Sequence, residues 1–246
     1  MSQIKSFYSS KTDNFSAVKS TRLNDVGDEL IQVIVEEVVK TLKAERKVEN
    51  SIKTYPKIPL GISNRHVHLT SGTFAKLFGA ETPFEFYREL YQPGEFASKH
   101  LVTIVGPKMR PIQNVRILGP FRKYDQVEVS LTDAIYLGIN PPIRNSGDLK
   151  GAAPLTLIGP NGSIYLEECA IIANRHIHMN SKDAEIFGVK NGDYCRVKIG
   201  GEKSVIFENV LIRVNDSWRL QIHLDTDDAN AANVRCATEV EFLGKM

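Results

Sequence analysis

The segment Asn64-Arg65-His66-Val67-His68-Leu69 recurs later in the chain as Asn174-Arg175-His176-Ile177-His178-Met179. The two copies lie 110 residues apart. Each is followed by a serine and then by a Phe-Gly pair, at Ser71 and Phe78–Gly79 in one copy and at Ser181 and Phe187–Gly188 in the other. The spacing is about the length of one small domain. The repeat therefore predicts two related halves that face each other.

Each copy of the repeat contains a His-x-His pair, called a clamp below. In an extended segment residues i and i+2 point to the same side, so His66 and His68, like His176 and His178, present two imidazoles to one point. Such a pair binds zinc or a similar borderline ion. A single His-x-His is also compatible with hydrogen-bonded polar groups at a strand end, but two copies in one context favour metal. We expect a soluble enzyme that carries a metal site with two zinc ions.

A catalytic zinc ion usually has three protein ligands, so each clamp needs a third. His223 alternates with apolar residues and is a candidate for one site, whereas Glu128, an acid within an apolar strand, is a candidate for the other. Spacing alone does not exclude five further acids, namely Asp225, Asp227, Asp228, Glu167 and Glu168. His100, which follows Lys99, is interpreted as a surface residue.

Several cations lie between the two clamps in the sequence: Lys108, Arg110, Arg116, Arg122, Lys123 and Arg144. Most such charges are merely solvated. Arg116 and Arg122, however, flank a Gly119-Pro120 turn that leads into the Glu128 segment, so at least one of them is expected to face a metal-bound oxyanion. An arginine near zinc suits phosphate or carboxylate. The Gly-Pro turns form no phosphate-binding loop or dinucleotide-binding motif.

The composition is that of an ordinary globular protein. The chain has 246 residues, of which 42% are hydrophobic and 24% charged, and its net charge of +2 is spread along its length. This charge argues against binding to nucleic acid or to a membrane surface. No segment predicts a membrane span, and residues 1–13 lack the apolar core of a secretory signal. Cys169, Cys195 and Cys236 are isolated and predict reduced, mostly buried thiols in a protein that stays inside the cell.

The first fifty residues differ in pattern from the rest. Residues 1–22 are polar and predict a disordered lead. From Asn24 or Asp25, which can cap a helix, apolar residues recur at three- and four-residue spacing as far as Leu42, before the charged run Lys43–Lys47. This predicts one amphipathic helix of about five turns. Residues 50–59 contain two prolines and predict a linker to a body that begins near residue 58.

Short segments rich in β-branched residues dominate the body. The predicted strands are Leu101–Val105, Val115–Leu118, Gln126–Leu131, Leu155–Ile158, Ser163–Leu166, Cys195–Ile199, Ser204–Val214 and Leu220–Leu224. Brief helices are predicted near Ser71–Phe78, Pro83–Leu90, Thr132–Leu137 and Ser181–Ile186. The pattern favours small barrels or sandwiches over a doubly wound parallel sheet.

With these residues assembled, the chain resembles the PduL-type phosphate acyltransferases, also called phosphate propanoyltransferases. The resemblance extends over nearly all of residues 60–232. The matching stretches are Gly61–Leu69, Gln92–Phe96, Val105–Lys108, Arg116–Pro120, Gln126–Ser130, Ser146–Leu149, Ala173–His178 and His223–Ala231. The resemblance is specific because it rests on these several stretches and not on a single common motif.

The resemblance implies a reaction of acyl-CoA, propanoyl-CoA or acetyl-CoA, with phosphate to give acyl phosphate and CoA, at two zinc ions. By matching position, the first zinc would be held by His66, His68 and Glu128, and the second by His176, His178 and His223. Arg122 matches the phosphate-contacting arginine. The implied CoA contacts are Ile62, Ser63, Asn64, Lys108, Arg116 and Asn230.

The implied fold is mainly β with short helices, and comprises two small related β-barrels with the metal site between them and an amino-terminal amphipathic helix. The predicted domains are an extension over residues 1–50, a first barrel built from residues 51–64 and 174–246, and a second barrel over residues 65–173. The helix is similar to encapsulation peptides that bind shell or cargo proteins of bacterial microcompartments. The implied location is the bacterial cytoplasm, inside a microcompartment, with a homo-oligomer possible.

Two other functions are compatible with the clamps. A zinc hydrolase often has a His-x-His near the start of its body, but such enzymes usually need a longer α/β barrel with further ligands on later strands. A non-catalytic metal-binding or scaffold protein of a microcompartment would use the helix as its working part. No Ser-His-Asp or reactive Cys-His arrangement is visible, so we expect direct attack by phosphate without an acyl-enzyme.

Overall fold

The computed structural model describes residues 33–41 and 54–246, and it divides the chain into one compact unit over Met1–Thr54 and another over Tyr55–Met246. The described part of the first unit is a helix, α1, over residues 33–41, and its side chains are exposed. The predicted helix is confirmed over these residues. The predicted polar lead, the start of the helix before residue 33 and its end after residue 41 lie outside the described residues.

The second unit consists of fourteen strands and four short helices in its described part, residues 55–246. In chain order they are β1 (Ile58–Ser63), β2 (His66–His68), α2 (Ser71–Phe78), β3 (Phe86–Glu89), β4 (Phe96–Val105), β5 (Pro111–Gly119), β6 (Gln126–Glu128), α3 (Leu131–Leu137), β7 (Ile143–Arg144), β8 (Ala153–Gly159), β9 (Gly162–Ala173), β10 (His176–Met179), α4 (Ser181–Phe187), β11 (Tyr194–Ile199), β12 (Val205–Val214), β13 (Gln221–Asp225), α5 (Thr226–Ala232) and β14 (Glu239–Lys245).

Six of these strands form a closed barrel in the order β1-β13-β10-β12-β11-β14, called the first barrel below. Its strands alternate buried and exposed residues, as Tyr194–Ile199 does throughout its length, so one face of each strand fills the interior. The interior contains Leu60, Ile177, Val197 and Ile222, all almost completely buried. This barrel combines β1 with the last third of the chain.

A second ring is formed by β4, β5, β2, β6, β9 and β8, and it closes because β8 pairs with both β9 and β4. We call this the second barrel. Two further strands extend it, β3 beside β4 and β7 beside β9. Val67, Ile104, Ile117 and Leu155 are among its buried residues. The predicted fold class, mainly β with short helices and two small barrels, is therefore confirmed.

Two glycines allow the second barrel to pack closely on its helices. A Cβ atom on Gly106 would lie 2.4 Å from the carbonyl oxygen of Leu137, and one on Gly159 would lie 2.5 Å from that of Leu77. Leu137 is the last residue of α3, and Leu77 is in the last turn of α2. The Gly-Pro turns that follow β4 and β8 thus serve packing, because only glycine permits such an approach to backbone.

Two helical segments of the body differ from the sequence prediction. The helix predicted over Pro83–Leu90 is wrong, because Phe86–Glu89 forms the exposed edge strand β3. This strand depends on hydrogen bonds to β4, which the residue pattern of the segment itself does not indicate. The helix α5 over Thr226–Ala232 was not predicted, although its cap Asp225 accepts a hydrogen bond from the N–H of Asp228. Among the described helices none is long and apolar enough to cross a membrane.

Candidate active site

Each clamp lies on a short strand with an antiparallel partner that supplies a third candidate ligand. In the second barrel β2 pairs with β6, and His66 lies opposite Glu128. In the first barrel β10 pairs with β13, and His176 lies opposite His223. Opposite residues of an antiparallel pair have neighbouring side chains on one face. The two halves of the repeat therefore build the same three-residue arrangement from the same register.

The two resulting sets are His66, His68 and Glu128, called the first set, and His176, His178 and His223, called the second set. Within each set, one nitrogen or oxygen atom per residue lies within 4.8 Å of the others, so each set could hold one metal ion. Among the described residues, neither set includes the competing acids Asp225, Asp227, Asp228, Glu167 and Glu168.

The first histidine of each clamp is oriented by its own backbone. Nδ1 of His66 lies 2.8 Å from the carbonyl oxygen of Asn64, and Nδ1 of His176 lies 2.8 Å from that of Asn174. A carbonyl oxygen only accepts, so Nδ1 carries a proton, and in the neutral tautomer the lone pair is then on Nε2. This is the arrangement that presents Nε2 to a metal ion, and both copies of the repeat have it.

Glu128 is held in a similar way by a buried amide. The side chain of Gln126 donates hydrogen bonds from Nε2 to Oε1 of Glu128 at 2.7 Å and to Oγ of Ser146 at 2.9 Å. The Oε1 atom of Gln126 accepts a hydrogen bond from the N–H of Gly147. The second carboxylate oxygen of Glu128 lies 3.4 Å from Nε2 of His66. Gln126 thus leaves that oxygen directed at the first set.

The remaining ring nitrogens test whether these residues fit a metal ion. Nδ1 of His68, both ring nitrogens of His178 and Nε2 of His223 are buried and have no hydrogen-bond partner within residues 33–41 and 54–246. Burial lowers the pKa of His176 to about 4, of His178 to about 2 and of His223 to about 3, so these rings are neutral near pH 7. Buried nitrogens without a partner are costly. Neutral imidazoles with free lone pairs fit a bound ion such as zinc.

Both sets face one cavity of about 170 Å³ between the two barrels. Besides the six candidate ligands, its lining consists of Ser63, Glu95, Leu118, Arg122, Tyr124, Ser146, Arg213 and Trp218. The first set comes from the second barrel, and the second set comes from the first barrel. A molecule in this cavity would contact both halves of the repeat at once.

Arg122 is the one cation of the sequence prediction that lines the cavity. Its Nη2 lies 2.5 Å from Oε1 of Glu95, and its backbone N–H donates to the carbonyl oxygen of Leu69. Its Nε is buried and has no hydrogen-bond partner among the described residues. Arg144 is outside the lining and pairs with Asp148. Of the six cations, Arg122 is therefore the one placed to contact a molecule in the cavity.

A larger groove of about 520 Å³ opens beside the cavity and contains four of the six predicted CoA contacts, namely Ile62, Ser63, Asn64 and Arg116. Arg116 lies over the ring of Tyr87 at 4.9 Å and donates to the carbonyl oxygen of Ser98. Ser63 also lines the central cavity, and its Oγ lies 3.5 Å from Nδ1 of His223. The groove and the cavity therefore share a wall.

Three residues considered in the sequence lie elsewhere. Lys108 does not line the groove, and its Nζ donates to the carbonyl oxygen of Ile135. Asn230 is exposed on α5, also outside the groove. His100 is partly buried, packs edge-on against Phe74 and belongs to neither set, so its predicted surface position holds in part.

Several residues of the cavity had no role assigned from the sequence, and Arg213 is the most notable. It lies on β12 next to His178 in the parallel pairing of β10 and β12. Trp218 lies between the two, 4.1 Å from the His178 ring and 5.1 Å from the Arg213 guanidinium. The sequence does contain a signal for Arg213, because it is a charged residue within an apolar strand, as Glu128 is.

The internal repeat also extends to a pair of ion pairs that brace the clamps. Arg65 contacts Asp133 through two bonds of 2.7 Å, and Arg175 contacts Asp228 at 2.7 Å. Each arginine directly precedes a clamp, and each aspartate lies five residues after the third candidate ligand, on the helix that follows its strand. These pairs tie the two ligand-bearing strands of each barrel together.

The model of the phosphate propanoyltransferase family matches residues 59–235, which include both sets and the whole cavity lining. The chain belongs to the phosphate propanoyltransferase family. The chain is 48% identical over 216 residues to a phosphate propanoyltransferase of Lachnoclostridium phytofermentans, with 88% of this chain and 99% of that protein covered. It is 50% identical over 188 residues to one of Thermotoga maritima, with 76% and 89% covered.

A third phosphate propanoyltransferase, from Alkaliphilus metalliredigens, is 43% identical over 219 residues, with 89% of this chain and 98% of that protein covered. The predicted resemblance to the phosphate propanoyltransferase family is confirmed. The predicted enzyme class is confirmed as well, because the members named here are acyltransferases.

Removal of one bracing carboxylate should destabilise the protein. The side chain of Asp133 is 7% exposed. Asp133→Asn removes a charge-assisted pair that is shielded from water, so we expect a loss of about 2 kcal/mol in the free energy of unfolding. Glu241 is the matched control, since its pair with Lys57 is half-exposed, and Glu241→Gln should cost less than about 1 kcal/mol. Urea unfolding measures both, and equal losses would contradict a bracing role for Asp133.

Proposed function

We propose that this chain transfers the acyl group of a short-chain acyl-CoA, propanoyl-CoA or acetyl-CoA, to inorganic phosphate at a site with two zinc ions. The observation that carries the proposal is the single cavity lined by both three-residue sets and by Arg122. Two metal-binding sets beside a guanidinium suit a reaction between an anion and a carbonyl group. Membership of the phosphate propanoyltransferase family supports the same reaction.

The first zinc ion would be held by the first set and the second by the second set. Nitrogen donors with at most one carboxylate are the ligands zinc prefers, and three protein ligands leave a position open for substrate. Zinc bound there would supply a Lewis acid that polarises a carbonyl or phosphoryl oxygen. We also propose that the two barrels are the domains given by residues 51–64 with 174–246 and by residues 65–173.

We propose that CoA binds in the groove beside Ile62, Ser63, Asn64 and Arg116. Support comes from the volume of the groove and from its common wall with the cavity at Ser63, which would let the thioester end reach the reacting phosphate. Lys108 and Asn230 lie outside the groove, so this part of the proposal rests on the other four residues. Arg116 supplies a guanidinium suited to a phosphate group of CoA.

The reaction proposed is direct. An oxygen of hydrogen phosphate bonds to the thioester carbonyl carbon, the carbon–sulfur bond breaks, and the sulfur leaves with the bonding pair and takes up the proton that phosphate loses. Arg122 balances the charge of phosphate as the new bond forms. Burial raises the pKa of both Cys169 and Cys195 to about 12, and neither lines the cavity, which favours direct attack over an acyl-thiol intermediate.

We propose that the amino-terminal extension, residues 1–50, binds shell or cargo proteins of a bacterial microcompartment. Support comes from the apolar side chains of α1 that are exposed, namely Val33, Ile34, Val35, Val38 and Val39. An exposed apolar face is costly in water and is typical of helices that bind in a groove of a partner. The enzyme would then act inside a microcompartment of the bacterial cytoplasm.

The proposed activity is tested by release of CoA from propanoyl-CoA or acetyl-CoA, measured with a thiol reagent with and without inorganic phosphate. We expect release only with phosphate and two zinc ions per chain by elemental analysis. His66→Ala with His68→Ala should remove one zinc ion and lower turnover about a hundredfold or more. His100→Gln, which changes the one histidine outside both sets, should keep both zinc ions and the activity.

Other outcomes separate the alternatives. Release of CoA that does not depend on phosphate would indicate a zinc hydrolase instead. A chain that binds zinc but releases no CoA under either condition would be a metal-binding or scaffold protein. Full activity with no zinc bound would contradict the proposal that the reaction uses two zinc ions.

The role of the extension is tested by deletion and by fusion. Because we expect it to take no part in chemistry, deletion of residues 1–51 should leave specific activity and zinc content unchanged. Fused to a fluorescent protein in a cell that makes microcompartments, residues 1–51 should give puncta. Ile34→Glu with Val38→Glu should disperse them, whereas Lys40→Gln should not. Diffuse fluorescence from the unchanged fusion, or an inactive truncated enzyme, would contradict the proposed role.

A further inference from the structure

Arg213 is a partly buried cation. Within residues 33–41 and 54–246 its side chain has no hydrogen bond and no ion pair, and it makes a cation–π contact with the Trp218 ring. Burial lowers its pKa, against the charges of Glu128 and Glu95, which raise it. The other arginines near the clamps, Arg65, Arg122 and Arg175, each have a carboxylate at 2.7 Å or less.

An unpaired buried charge is unfavourable unless a ligand completes it. Arg213 and Arg122 line the same cavity, the first from the first barrel and the second from the loop after β5 of the second barrel. Arg122 is paired with Glu95, whereas Arg213 has no carboxylate within ion-pair distance in the described part of the chain. An anion in the cavity would supply an ion-pair partner for Arg213.

The size of the cavity and the geometry of the arginine limit what this anion can be. A volume of about 170 Å³ admits a small oxyanion together with the reacting end of a larger molecule. A guanidinium donates two parallel hydrogen bonds that match two oxygens of a phosphate group. The Cζ atom of Arg213 lies over the Trp218 ring, 5.1 Å from its centre, and a cation–π contact of this kind uses none of the N–H groups of the guanidinium.

We propose that Arg213 is a phosphate-binding residue and that inorganic phosphate is held between Arg213 on the first barrel and Arg122 on the second. The inference rests on the proposed function and adds a second cation to its phosphate site. Trp218 is a positioning residue in this account, because it also packs on the ring of His178, 4.1 Å away. Phosphate would then contact both halves of the repeat.

The test compares the full-length wild-type enzyme with Arg213→Gln, Arg213→Lys and Arg196→Gln. Arg196 is the matched control, an exposed arginine on β11 of the same barrel and outside the cavity. Calorimetric titration with inorganic phosphate, in the absence of acyl-CoA, gives the Kd. We expect Arg213→Gln to weaken phosphate binding roughly ten- to a hundredfold, Arg213→Lys to weaken it less, and Arg196→Gln to leave it unchanged.

Steady-state kinetics give the second readout. The KM for phosphate should rise by a similar factor in Arg213→Gln, while the KM for propanoyl-CoA stays as in the wild type. If Arg213→Gln does not fold, as judged by circular dichroism, Arg213→Lys decides, because it retains the charge but lacks the two-pronged donor. An unchanged phosphate Kd in the folded Arg213 variants would overturn the proposal, and so would a raised KM for propanoyl-CoA with an unchanged KM for phosphate.

These outcomes also separate this inference from the proposed function. If the wild type binds phosphate, Arg213→Gln binds it more weakly, and no variant releases CoA, the phosphate site stands and the acyl transfer does not. If the wild type releases CoA with phosphate and both Arg213 variants match it in phosphate Kd and KM, the acyl transfer stands and the role of Arg213 is refuted.

Discussion

The register of two antiparallel strand pairs is the constraint on which the rest of the site depends. A strand alternates its side chains, so His66 and His68 share one face, and the pairing with β6 brings Glu128 opposite His66. The pairing of β10 with β13 does the same for His176 and His223. A slip of one residue in either pair would turn the third side chain to the opposite face, and the three candidate ligands would no longer lie close together. The ion pairs of Arg65 and Arg175 act on these same strand pairs.

The two sets are related by the repeat but are not chemically equivalent. The first contains a carboxylate, Glu128, whereas the second consists of three neutral imidazoles, so their formal charges differ by one. A carboxylate ligand reduces the net charge of a bound ion more than an imidazole does, so the first set would make a weaker Lewis acid than the second. This difference gives one cavity two unlike sides. An asymmetric reaction, in which phosphate and a thioester need different treatment, can make use of that.

The sequence predicted what is local and missed what depends on pairing. The clamps could be found because repetition and alternation are visible in one dimension. The pattern of residues left five acids in competition with Glu128, and the resemblance to the family was needed to choose it. Strand pairing gives the physical reason, since it places Glu128 and His223 opposite the clamps. Arg213 was missed because its place beside His178 depends on the pairing of β10 with β12, although a charge within an apolar strand was visible in the sequence. The helix prediction at Pro83–Leu90 was wrong because the segment forms the edge strand β3, which is stabilised by pairing with the later strand β4.

The central claim is that two metal ions are bound on opposite sides of one cavity between the barrels. Anomalous scattering from crystals of the purified full-length enzyme, collected on both sides of the zinc absorption edge, tests this most directly. The account predicts two peaks that appear only above the edge, one among His66, His68 and Glu128 and the other among His176, His178 and His223. A single peak, or peaks away from these six residues in a crystal of active enzyme, would contradict it.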